Sequence, residues 1–181
     1  DHRESHDIDV FIGDAQVLPY LNPETQDYTL SLIPSGYDTD GIRSLKIVFN
    51  GVGEIDFICC HPVLDGEIIR QEVRGVSVDL ETPAEIITKK VFHRGARLQP
   101  RDMFDIAAVV RSRGPDYLAQ PLSGFSDKVE TTLRVVERYQ SDLLQPVLAG
   151  LNVRPDFESI RDTARDDTAE VLHMALDIAA S

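Results

Sequence analysis

The hydrophobic period of this chain changes at Thr82, and no other feature limits the possible fold as much. Before Thr82, apolar residues alternate over short runs separated by Gly, Pro, Asn and Asp; after it they recur at helical spacing. The sequence therefore predicts an α+β fold: a small mixed sheet over residues 1–80 and a helical half over residues 81–181. Strands are expected at His6–Ile12, Tyr28–Ile33, Arg43–Phe49, Glu54–Cys60 and Gly75–Leu80. Asn50-Gly51-Val52-Gly53 reads as a hairpin turn joining the third and fourth of these. A helix is expected between Gly13 and Leu21, despite Pro19.

Thr82-Pro83-Ala84-Glu85 has the form of a capping box, with Thr82 as N-cap, Pro83 in the first turn and Glu85 reaching back. Helices should follow to about Arg94, from Arg101 to Arg111, from Ser126 to Leu148 as one long element, and from Pro155 to Ala179. No internal repeat or low-complexity segment is visible.

The 181 residues carry 31 acidic and 18 basic side chains, a net charge of −13. Broad, nonspecific nucleic-acid binding needs a basic footprint and is disfavoured, although a local basic patch is not. Much of the acidic surplus lies in the C-terminal helices, where a solvated face accounts for it. No apolar stretch has the length of a membrane span. The only cysteines are adjacent, Cys59 and Cys60, and point to opposite faces of a strand. A reduced, cytoplasmic setting is the expectation. The chain opens at Asp1, without Met and almost directly at its most informative motif, which suggests that natural residues precede it.

That motif is Asp7-Ile8-Asp9. On a strand, residues two apart project from one face about 7 Å apart. Ile8, Val10 and Ile12 are expected to face the core, so both carboxylates face outward, where a hard divalent cation such as magnesium suits them. An ordinary wet strand face explains the pair equally well. Asp56, a lone acid in the apolar run Glu54-Ile55-Asp56-Phe57-Ile58, adds weight. If its strand lies beside the first, Asp56 completes a carboxylate triad of the kind two-metal phosphoryl transfer uses. Glu54, two residues earlier on the same face, competes for that third place.

On the helix after Thr82, Ala84, Ile86, Ile87 and Val91 define the apolar side, with Lys90 and Arg94 inside it; Glu85, Thr88 and Lys89 are expected on the wet side. Semi-buried cations need anions. Nucleotide phosphates are one such partner, and internal pairing with Asp102 or Asp105 is the other. Asp102 reads as a first-turn acid, whereas Asp105 is less ordinary.

Together these segments resemble the nucleotidyl transferase AbiEii/AbiGii toxin family. Arg3-Glu4-Ser5-His6-Asp7-Ile8-Asp9-Val10-Phe11 is similar to its Arg-x-Ser-x-Asp-Ile-Asp-Leu-Phe signature. The run Ala84–Lys90, then Arg94-Gly95, then Arg101-Asp102-Met103-Phe104-Asp105, resembles its later block. The similarity spans roughly residues 2–110. It implies a polymerase-β-like nucleotidyltransferase fold with Asp7 and Asp9 as magnesium ligands, to which the residue pattern itself adds Asp56 as the third carboxylate of a two-metal site. It further implies Lys90 and Asp105 in the active site, and Ser5, Lys90 and Arg94 against a nucleoside triphosphate. The expected function is transfer of a nucleoside monophosphate to RNA, such as transfer RNA, or to protein, as the toxin of a toxin–antitoxin or abortive-infection system with its antitoxin as partner. One departure matters: the family's Gly-Gly/Ser-Thr-x-Leu segment, which cradles the triphosphate ahead of the Asp-x-Asp strand, has no counterpart after Asp1. An inactive nucleotidyltransferase-fold module that binds a partner protein is the competing reading.

Overall fold

The computed structural model describes residues 2–66 and 68–181 as an α+β chain in two compact units. One unit is Ser5–His61; the other joins residues 2–4 to Pro62–Ser181.

The first unit holds β1 (Asp7–Ile12), α1 (Leu18–Leu21), β2 (Gly36–Thr39), β3 (Ser44–Phe49) and β4 (Gly53–Cys59). The four strands form one mixed sheet in the order β1-β4-β3-β2, with β1 and β4 parallel and the other pairs antiparallel. The turn between β3 and β4 is the hairpin expected at residues 50–53, with Gly51 at φ 71°. On one side of this sheet Leu18, Leu45 and Ile47 make a small core, with Ile12, Ala15, Leu21, Tyr37, Phe49 and Phe57 packed on it.

The helix expected between Gly13 and Leu21 is present as a short element: a 3-10 turn over Ala15–Val17, capped by Asp14, runs into the single turn of α1, which holds Pro19. One strand expectation fails in this unit. Tyr28–Ile33 is no strand: the edge of β3 is taken by the short β2, and its pairing starts only at Ser35, whose N–H donates to the Val48 carbonyl at 2.8 Å. Ile8 also departs from the expected pattern. It is 59% exposed and borders an open apolar groove of about 280 Å³ with Leu30, Leu32, Phe49, Val52 and Ile55.

The second unit holds β5 (Ile69–Val73), β6 (Val76–Leu80), α2 (Pro83–Arg94), α3 (Pro100–Arg113), α4 (Asp116–Leu122), α5 (Ser126–Arg138), α6 (Ser141–Ala149) and α7 (Ile160–Ala179). β5 and β6 form a separate antiparallel hairpin turned at Arg74-Gly75, both at positive φ. α7 packs along α3, α4 and α5 around a core that includes Phe104, Ile106, Leu118, Val129, Leu148 and Leu172. Thr168 of α7 ties into α3 by donating to the Met103 carbonyl at 3.2 Å.

The long helix expected over Ser126–Leu148 is broken at Tyr139 and Gln140, both extended. The Arg165 guanidinium of α7 donates to the Tyr139 carbonyl at 3.2 Å, which satisfies an acceptor that the helix would otherwise have used. The last helix begins at Ile160, after a 3-10 turn at Pro155–Phe157. No helix among the described residues is long and apolar enough to cross a membrane.

Candidate functional site

Alternation along β1 and β4 places Asp7, Asp9, Glu54 and Asp56 on the sheet face opposite the small core. The parallel register pairs Asp7 with Glu54 and Asp9 with Asp56. Adjacent strands lie about 4.8 Å apart, so Asp9 and Asp56 are immediate neighbours. β3 extends the same rows: Lys46 stands beside Asp56, and Asp38 of β2 stands beside Lys46. The order across the sheet is thus Asp9, Asp56, Lys46, Asp38, with charges of alternating sign only at Lys46.

Lys46 Nζ donates to Glu54 Oε2 and lies 3.4 Å from Asp56 Oδ2. The Glu54 hydrogen bond raises the Lys46 pKa against its partial desolvation, and Asp56 adds to the rise. Burial pushes the Asp56 carboxyl up; Lys46 pulls it down, and Asp9 and Glu54 push it up again. Asp9 and Asp56 therefore feel each other's charge. Among the described residues no three acidic, His or Cys side chains stand ready-made around a common centre. The acids of β4 are directed to Lys46 instead. In donor chemistry the face still suits magnesium: it offers several carboxylate oxygens, no sulfur and no imidazole within its rows. Ser5 is exposed just ahead of β1.

The second group of candidate residues lies in the other unit. Lys90 of α2 donates to Asp105 Oδ2 and stands 3.1 Å from Asp102 Oδ1, both on α3. Arg94 Nη2 donates to the same Asp102 oxygen at 3.0 Å. Asp102 also accepts from the Gln99 N–H at 3.2 Å, so it caps the helix as well as pairing. Asp105 is gripped from its other side by His2 Nε2 at 2.7 Å and by Arg3, through Nε at 2.8 Å and Nη2 at 3.1 Å. Burial raises the Asp105 carboxyl, yet the hydrogen bonds from His2, Arg3 and Lys90 outweigh it and hold it far below the usual carboxylate range. The His2 ring leans on Phe104 and Phe157, with centroids 5.8 and 6.1 Å away. Residues 2–4 are thereby bound to the helical unit, and Arg3 bridges to Val153.

The expected wet face of α2 is overturned. Glu85, Thr88 and Lys89 are all buried, while Ile86 is 42% exposed. Glu85 does not reach back to Thr82; its two carboxylate oxygens accept from the N–H groups of Val63 and Leu64, at 2.7 and 2.8 Å. Thr82 does cap Glu85 N–H, at 3.1 Å. Lys89 pairs with Glu81 and lies 3.6 Å from Glu85. Helical periodicity located the stripe but could not see that residues 62–64 and Glu81 would cover the polar side.

Sequence reasoning missed Lys46, Asp38 and the contribution of His2 and Arg3. Lys46 was visible as the one cation in the alternating run Ser44-Leu45-Lys46-Ile47-Val48-Phe49, but its neighbours depend on register. Comparisons with protein-family models, with curated proteins and with solved structures found no significant match.

Proposed function

We propose that this chain carries the acidic site of a magnesium-dependent nucleotidyltransferase with a polymerase-β-like fold, as its resemblance to the AbiEii/AbiGii toxin family implies. One observation carries the reading: an Asp-x-Asp strand whose second acid, Asp9, has Asp56 beside it on the adjoining parallel strand. Asp7, Asp9 and Asp56 would hold the metal, with Glu54 next in line. Bound there, magnesium supplies a Lewis acid for phosphoryl oxygens.

In the transfer, an acceptor hydroxyl oxygen bonds the α-phosphorus of a nucleoside triphosphate. The bond from that phosphorus to the β-phosphate breaks, pyrophosphate leaves with the electron pair, and the hydroxyl proton passes to a carboxylate. Lys90, Arg94 and Asp105, with Ser5, are assigned to the nucleotide and the active centre on the resemblance. Lys90 and Arg94 already meet Asp102 and Asp105, so phosphate binding must share or displace those pairs. Acceptors are RNA, including transfer RNA, or protein; a toxin role with a cognate antitoxin belongs to the same proposal.

The test is incubation of the chain with labelled nucleoside triphosphates, magnesium and total RNA. Transfer of label that vanishes in Asp9→Asn supports the reading. The second reading, an inactive module that binds a partner protein, is favoured by one feature: protein cations occupy both acidic groups. Magnesium-dependent triphosphate binding separates the two, since an inactive module has no need of it.

A further inference from the structure

Lys46 is held by two acids of β4 and has a third acid beside it in register on β2. Its ammonium binds Glu54 and lies 3.4 Å from Asp56, its in-register neighbour on β4, and Asp38 is its neighbour on β2. The side chain remains 36% exposed, so its stem can swing to solvent without opening the small core.

We propose that Lys46 is the resident cation of this carboxylate face, which a divalent ion must displace from Asp56, so that Lys46 sets the affinity of the face for the ion. The inference rests on the metal-site reading above and concerns how that site is regulated. An ammonium beside a divalent ion repels it, and while it stays on Asp56 it also withholds a ligand. Lysine suits the role because its compact charge on a flexible stem can let go, whereas an arginine fork would grip both carboxylates in parallel. Without Lys46, Asp9, Glu54 and Asp56 face one another uncompensated. The ion-free sheet should weaken while its demand for a divalent ion grows. A lysine that only spaced the strands would give no such opposition.

The experiment titrates manganese alone into the whole chain by calorimetry, with melting curves for each variant. Lys46→Met should bind manganese about tenfold more tightly than wild type, from one like charge removed at short range. Its melting temperature without metal should fall, and manganese should raise it by more than in wild type. Lys46→Arg should bind no more tightly than wild type. Should Lys46→Met not fold, Lys46→Gln removes the same charge while keeping a donor for Glu54. Manganese binding to the neutral variant that is equal to or weaker than wild type overturns the proposal. Saturable binding in neither protein, both folded, overturns the metal-site reading and the competition with it. Binding that tightens in Lys46→Met but persists in Asp9→Asn keeps the competition and removes Asp9 from the ligand set.

Discussion

Asp56 stands beside Asp9 in the parallel β1–β4 register, and each raises the energy of the other's charge. Such a pair is destabilising on its own, and burial around Asp56 sharpens the effect. It persists because Lys46 compensates it from the far side. The energetic character of the face follows: neutralising Asp9 relieves the repulsion on Asp56 and leaves the Lys46 pairs in place.

Asp9→Asn tests that relief. Asparagine keeps the size of the side chain and removes its charge, so the melting temperature should stay level or rise slightly. The proposed nucleotide transfer should fall by roughly 10²–10³, the common consequence of removing one key electrostatic element. Labelling by Asp9→Asn that equals wild type at equal folded concentration would remove Asp9 from the chemistry.

Asp105→Asn should behave in the opposite way. It leaves Lys90 with the Asp102 carboxylate of its two and removes the carboxylate charge that Arg3 grips, at a buried site. Breaking a buried pair from one side typically destabilises by about 3–5 kcal/mol, and denaturant unfolding should find a loss in that range. Lys90→Ala takes one cation from Asp102 and Asp105, and Lys89→Ala takes one from Glu81 and Glu85. Both should therefore lower stability, and nucleotide affinity must be compared at equal folded fraction. A Lys90→Ala loss of affinity no greater than that of Lys89→Ala would take Lys90 out of the nucleotide site.

Acid should unfold the chain through two depressed carboxyls. Asp40 is held down to about 2 by the backbone N–H groups of Arg43, Ile42 and Ser44, and Asp105 is depressed by its cationic grip. A folded-state pKa below the unfolded value of 3.8 gives stabilisation that is complete above that value and lost as pH falls through the folded one. The melting-temperature gap between wild type and Asp40→Ala should therefore be constant above about pH 5 and close towards pH 2. A gap that widens on acidification would reverse the assignment.

Periodicity made the strong elements legible. β1, β3, β4, α2 and α3 all fall within a few residues of their expected spans. What sequence could not supply was anything fixed by a partner distant in the chain. The break at Tyr139 depends on Arg165, the burial of Glu85 on Val63 and Leu64, and the grip on Asp105 on His2 and Arg3. The shared face of Asp7 and Asp9 follows from alternation alone. Lys46 beside Asp56 follows from the register of the β3–β4 hairpin, whose turn the sequence shows, whereas Asp56 beside Asp9 follows from strand order, which no local pattern encodes.

Gly53 tests the β1–β4 ladder directly. Its φ is 149°, which L residues rarely adopt, and a Cβ there would lie 1.8 Å from the His6 carbonyl oxygen. That oxygen accepts the Glu54 N–H at 3.4 Å where the ladder begins. Gly53→Ala must move backbone, so it should destabilise by about 3 kcal/mol or more and weaken any manganese binding that needs Asp9 beside Asp56. An alanine variant as stable as wild type would show that the close approach is absent in solution.

Gly95 makes a gentler contact of the same kind, between the end of α2 and α5. Its φ of −54° is ordinary, so only space forbids a side chain there. A Cβ would meet Thr132 Oγ1 at 2.0 Å and Thr132 Cβ at 3.2 Å. Thr132 is fully buried and its hydroxyl donates to the Lys128 carbonyl at 2.8 Å, so it cannot simply turn away. Gly95→Ala should destabilise by about 2 kcal/mol through overpacking. Thr132→Ala alone should also destabilise, by the loss of a buried methyl and hydroxyl. In the double variant the clash with Oγ1 is gone, so the combined loss should be smaller than the sum by about 1 kcal/mol or more. Denaturant unfolding of the four proteins measures this coupling. Strict additivity would mean that α2 and α5 do not meet at this pair, and the glycine after Arg94 would need another explanation.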